Sequence, residues 1–251
     1  MKKLVVFFSV LLHLSLSAQE PRLVIPSGHT AALHSAEYDV TGKLVLTNAG
    51  DSTVKLWDAQ TGALLLDLKS EGLGYYLGVL SPNGNRIAAA CRDGSLKQWD
   101  AITGKLLLDL PSPFGDVSAL VFSPDGTRMA SADAGGNFRV WDAVTGKWVV
   151  RHGDNFAVRY LEDDKINDIR FSPDGKKMVT VSNNKSVKIW DAATGRLLSD
   201  CSGHTDRVIF ARFAPDGKTF FTTSWDYTLK IWDAATGRLL QDIKAFTSEI
   251  R

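Results

Sequence analysis

Only two cysteines occur in 251 residues, so a disulfide-dense scaffold is excluded even if the chain is exported. Charge of one sign is also missing. With 29 basic against 28 acidic residues, no global field favours nucleic acid or an anionic membrane. After the first eighteen residues no run is apolar enough to cross a bilayer. The five histidines, His13, His29, His34, His152 and His204, form no zinc-like spacing with cysteine or with one another. There is no glycine-rich phosphate loop and no nucleophile elbow. These absences imply no cofactor or metal and make an enzyme the weaker class.

The first eighteen residues differ in kind from the rest. Lys2 and Lys3 precede an apolar run from Leu4 to Leu16, broken only by Ser9, His13 and Ser15, and small residues Ser17 and Ala18 follow. That order is the one found in secretory signal peptides. It predicts cleavage near Ala18 and a bacterial protein that is secreted or periplasmic, with residues 19–251 as the mature domain.

What the chain has in abundance is repetition. Trp-Asp ends five units, at Trp57, Trp99, Trp141, Trp190 and Trp232, at intervals of 42, 42, 49 and 42 residues. Thr-Gly follows each, as Thr61-Gly62, Thr103-Gly104, Thr145-Gly146, Thr194-Gly195 and Thr236-Gly237. An earlier turn, such as Ser123-Pro124-Asp125-Gly126 or Ser172-Pro173-Asp174-Gly175, also recurs. Proline presets φ at the second position of such a turn, and glycine accepts the left-handed position. Between the turns, runs such as Ser186-Val187-Lys188-Ile189-Trp190 alternate apolar with polar residues, the period of a half-buried strand. A period in the low forties with four strands per unit predicts propeller blades. A basic residue stands two before each Trp (Lys55, Lys97, Arg139, Lys188, Lys230), a position that reads as solvent-facing.

Over roughly residues 22 to 251 the chain resembles the WD-repeat β-propeller family. The resemblance implies an all-β propeller of four-stranded antiparallel blades. It also implies a hydrogen-bonded staple in each blade, made by a Gly-His histidine, a Ser or Thr, an Asp and the Trp. On this pattern only the fifth repeat carries the whole set: His204, Ser224 (or Thr222), Asp226 and Trp232. The first has His29, Asp51 and Trp57 but Ala49 where the fifth has Ser224. The second has Cys91 at that place, and the third and fourth replace the Asp with Gly135 and Asn184. Residues from about 244 align with the opening of a repeat, so a sixth is begun. Residues 22–26 match a strand that would complete a final blade. Both features predict an incomplete ring of seven blades, whose open edges would invite association, against an intact ring of five. Cys91 and Cys201 fall on non-adjacent blades and are expected to be unpaired, buried thiols. A dyad of Cys91 with His34 is conceivable but disfavoured, because strand cysteines in a core are inert.

The family pattern also predicts a binding end, lined by the loops before each first strand and by the polar turns before each Trp strand. It places Trp225 and Arg92 just before the turn Asp. His34, Tyr76 and Asn167 fall early in first strands, and Arg207 lies beside them. Aromatics and arginines anchor interfaces, and Trp225 is spare because Trp232 already fills the structural role. A seven-residue insertion between His152 and Ile166, including Asp163 and Asp164, would extend the same end. Trp148, in an outer strand, reads as packing. The function expected is therefore a non-catalytic platform for a protein or peptide in the cell envelope or exterior. The alternative is the targeting portion of a larger enzyme with a peptidase-like domain beyond residue 251. A sugar-binding or hydrolytic propeller would need convergent acids in the central channel, which the repeats do not show.

Overall fold

A computed structural model describes residues 28–69, 74–91, 93–111, 116–153 and 162–244. The leader, residues 22–26, Arg92 and residues 245–251 lie outside the described residues, as does the side chain of Tyr76. Strands β1 (Leu33–Tyr38), β2 (Leu44–Ala49), β3 (Thr53–Asp58) and β4 (Leu64–Lys69) form the first blade. The second holds β5 (Tyr75–Leu80), β6 (Arg86–Cys91), β7 (Leu96–Asp100) and β8 (Leu106–Leu110). The third holds β9 (Val117–Phe122), β10 (Arg128–Asp133), β11 (Phe138–Asp142) and β12 (Trp148–His152). The fourth holds β13 (Ile166–Phe171), β14 (Lys177–Ser182), β15 (Val187–Asp191) and β16 (Leu197–Asp200). The fifth holds β17 (Val208–Phe213), β18 (Thr219–Ser224), β19 (Leu229–Asp233) and β20 (Leu239–Ile243). Each blade is an antiparallel meander of neighbouring strands, as the turn spacing predicts.

Side chains of the turns themselves hold them in place. In the first blade Asp58 Oδ1 accepts the Thr61 N–H and hydroxyl, both at 2.7 Å, and Gly62 closes the turn at φ +70°. The same bonds recur at Asp100, Asp142, Asp191 and Asp233. The Asp of each Trp-Asp pair is thus a turn cap, which satisfies donors that the strands leave open.

The core lies between blades. Trp141 packs with Val79, Ala88, Ala90 and Leu96 of the second blade, and Trp190 with Phe138 and Val150 of the third. Trp99 and Trp232 meet the first and fourth blades in the same way. Each of these four Trps therefore faces the preceding blade. Burial of a side chain of this size stabilises by about 3 kcal/mol or more, so the Trp period fixes blade stacking as well as blade register. The residues opposite four of the Trps, Ile87, Met129, Met178 and Phe220, are at most 1% exposed. Val45, opposite Trp57, is only half-buried. On the fifth blade Phe221 and Ile231 are half-buried, whereas their counterparts Val179 and Ile189 are closed off. The inner strands touch in the order β1, β5, β9, β13, β17, with no junction of that kind between β17 and β1 among the described residues.

The basic residue before each Trp corrects one expectation. Lys55, Arg139 and Lys230 are buried, at 3–4% exposure. Lys55, Lys97 and Lys230 reach cross-strand carboxylates at Asp67, Asp109 and Asp242, 2.6 to 2.7 Å away. A lysine stem can cover apolar surface while its ammonium finds an acid on the outer strand, and the alternation pattern does not register that. A second set of cations ties blades together. Arg86 donates to Ala143 O, Arg128 to Ala192 O at 2.9 Å, and Lys177 to Ala234 O at 2.7 Å. Each acceptor follows the Trp-Asp of the next blade.

Candidate interaction surface

The blade staple places the loops of this end. In the fifth blade, His204 Nδ1 lies 2.8 Å from Asp226 and Nε2 lies 2.7 Å from Thr222 Oγ1. The same Oγ1 accepts the Trp232 indole N–H at 2.8 Å. Burial lowers the His204 pKa despite the nearby carboxylate, so the ring is neutral. It then donates from Nδ1 and accepts the Thr222 hydroxyl proton at Nε2. Burial alone would raise Asp226, but Thr228, Thr205 N–H and His204 outweigh it and hold the carboxyl at about 2.

The hydroxyl of the staple is therefore Thr222. Ser224 serves the turn instead, donating to Asp206 O at 3.0 Å and accepting Asp226 N–H at 3.1 Å. This also corrects the view that only the fifth repeat is complete. The first blade carries the whole set, with His29 2.9 Å from Asp51 and Thr47 Oγ1 receiving the Trp57 indole at 2.7 Å. Ala49 is immaterial there, because the acceptor lies ten residues before the Trp. Ser131 and Thr180 fill that position for Trp141 and Trp190. The second repeat has Ala89.

Ser224 and the Trp225 backbone, which donates to Arg207 O at 2.9 Å, hold the turn of the fifth blade against the loop before β17. The Arg207 guanidinium thereby comes 5.1 Å from the Trp225 ring centroid, both side chains being half-buried. Tyr227, two residues on, is 44% exposed and sits at φ +64°. A left-handed tyrosine costs about 1 kcal/mol, which the second and third blades avoid with Gly94 and Gly136. A hollow of about 430 Å³ beside it is lined by Thr205, Asp226, Tyr227, Lys230 and Asp242. Sequence reasoning missed Tyr227; its signal was an aromatic where the other repeats have Ser52, Gly94, Gly136 and Lys185.

The other candidates are scattered or committed. His34 is exposed on β1, near Gly50, and no described contact joins it to Trp225. Asn167 uses both amide protons internally, on Asn183 Oδ1 and Val208 O at 2.8 Å each. Asp163 and Asp164 belong to a 3-10 turn, Glu162–Asp164. Asp164 accepts from Asn184 at 3.3 Å. Its carbonyl would stand 2.9 Å from a Cβ on Gly136, so the third blade has no room for a side chain there. Arg92 and the Tyr76 side chain lie outside the described residues. Among the described residues no group of three His, Cys, Asp or Glu side chains could hold a metal ion. Cys91 and Cys201 are buried and form no disulfide, and burial raises both thiols, Cys201 to about 11. No described helix is long and apolar enough to cross a membrane.

Radial four-stranded blades, Trp stacking and His–Thr–Trp–Asp staples define a WD-type β-propeller. The chain belongs to the family described as WD domain, G-beta repeat, which it matches over residues 20–58, 77–100, 104–142, 158–191 and 195–233. It is similar to the crystal structure of the computationally designed Ika8 protein, with 27% identity and a TM-score of 0.75. That match covers 89% of this chain and 65% of the designed one. No curated protein matches it in sequence. WD repeats generally mediate protein–protein interaction, and the family is generally non-catalytic.

Proposed function

We propose that this chain is a non-catalytic platform that binds a protein or peptide partner at the end bearing Trp225, Arg207 and Tyr227, in the cell envelope or exterior. One observation carries the reading: Trp225 is not needed for its blade, since Trp232 makes the staple, yet it is pinned in place and stacked by a cation. A rigid aromatic presented with an arginine is what interface centres are made of. The adjoining hollow and Tyr227 extend the same surface. The Lys2-Lys3 leader supports export. The half-buried faces of the first and fifth blades support an arc belonging to a larger ring.

Capture from an envelope extract, followed by affinity measurement on the captured partner, tests the surface. Trp225→Ala is expected to weaken binding about tenfold or more, the usual scale for an interface tryptophan. Unchanged partners and affinity for Trp225→Ala remove this end from the site.

A further inference from the structure

The inner strands carry charged side chains that neither the staples nor the Trp225 end uses. Glu37, Val79, Val121, Arg170 and Arg212 occupy one register on β1, β5, β9, β13 and β17, opposite Leu46, Ala88, Ala130, Val179 and Phe221. Toward the proline turns, and so away from Trp225, a cavity of about 190 Å³ is bordered by Arg170, Arg212, Phe122, Phe171, Phe213 and Pro173. Arg170 is fixed: its Nε donates to Asp168 Oδ2 at 3.2 Å and its guanidinium lies 5.5 Å from the Phe210 ring. Its terminal nitrogens make no hydrogen bond with a described residue. Arg212 is exposed and makes no hydrogen bond or ion pair with a described residue.

The nearby acids are already engaged. Buried Asp168 accepts Ala211 N–H at 3.1 Å as well as Arg170. Glu37 accepts Leu80 N–H and lies within electrostatic reach of both arginines. Arg128, 5.5 Å over Phe171, spends its own donors on Ala192 O and Gly175 O.

We propose that this cavity binds a carboxylate borne on a peptide segment, with the acid between Arg170 and Arg212 and a neighbouring apolar side chain against the phenylalanines. A planar guanidinium fork matches a carboxylate, and the phenylalanines offer an apolar surface beside the pair. Asp168 and Glu37 temper the positive field, so a singly charged carboxylate suits the site better than a phosphate dianion. The apolar walls leave a free amino acid without part of its contact. The site is independent of the Trp225 surface, since β17 runs from one to the other.

The test uses a fluorescent Ala-Leu-Glu-Leu-Ala peptide with blocked termini, its Gln counterpart, and free glutamate and inorganic phosphate as competitors. The wild-type chain is expected to bind the Glu peptide about tenfold or more tightly than the Gln peptide, and to lose affinity as salt rises. Arg212→Gln, at an exposed position where packing is undisturbed, abolishes the discrimination. Trp225→Ala leaves it unchanged. Equal binding of both peptides, or full binding by Arg212→Gln, overturns the site. Loss of binding in Trp225→Ala places the peptide at the other end and also overturns it. Competition by phosphate or free glutamate at the peptide's own concentration overturns the peptide assignment in favour of a free anion.

Discussion

Replacing Thr222 by valine keeps the shape of a completely buried side chain and deletes one oxygen. That oxygen accepts the Trp232 indole proton at 2.8 Å and donates to His204 at 2.7 Å. Neither partner has access to water: the His204 side chain is 0% exposed and Trp232 is 1% exposed. Each stranded buried group costs about 1–3 kcal/mol, so Thr222→Val is expected to destabilise by about 2–4 kcal/mol. Ser224→Ala, at an equally enclosed hydroxyl, removes bonds to the backbone of the exposed Asp206 and the half-buried Asp226 rather than to the two buried rings, and is expected to cost about 1 kcal/mol. Urea denaturation followed by both tryptophan fluorescence and circular dichroism gives the two midpoints, provided the transitions coincide. If Ser224→Ala costs as much as Thr222→Val, or Thr222→Val costs under about 1 kcal/mol, the staple is assigned to the wrong hydroxyl.

The staple also sets an acid limit. Asp51 and Asp226 sit at about 2 against an ordinary 3.8, so their stabilisation is full above about pH 4 and lost as pH falls toward 2. Allowing for screening, that is about 1–2 kcal/mol each. His204 is lowered from 6.5, so its contribution is present above that value and declines as pH falls below it. The urea midpoint should drop in both ranges, Asp51→Asn and Asp226→Asn should flatten the lower one, and a wild-type midpoint constant from about pH 7 to 3 refutes the scheme. Cys201, pushed up to about 11 by burial, should resist a thiol-specific disulfide reagent until urea unfolds the chain; rapid modification of the native protein would show the thiol is not enclosed.

The candidate site was legible only in part. Trp225 stood out because a second Trp so close to Trp232 has no blade role, and the structure sets it beside Arg207. Asn167 shared the same loop logic, yet its amide bridges to the next blade's backbone. Nothing in the local sequence distinguishes an amide spent on a neighbour from one offered to a partner. Arg170 and Arg212 escaped notice because they are 42 residues apart and meet only where inner strands converge.

The strands, the turns and the Trp period follow from the sequence alone, because alternation, Pro-Asp-Gly turns and Thr-Gly turns act over a few residues. A lysine two before a Trp reads identically whether its ammonium meets water or, like that of Lys55, is buried against a cross-strand carboxylate. Thr47 is hidden in the same way, and Thr222 cannot be told from Ser224, since their value lies in a histidine eighteen residues before them and a tryptophan ten after. The inter-blade ties from Arg128 and Lys177 reach across 64 and 57 residues. Such partners are set by how blades stack in space, where hydrogen bonding in a region closed to water outweighs any local preference, and only the tertiary structure decides them.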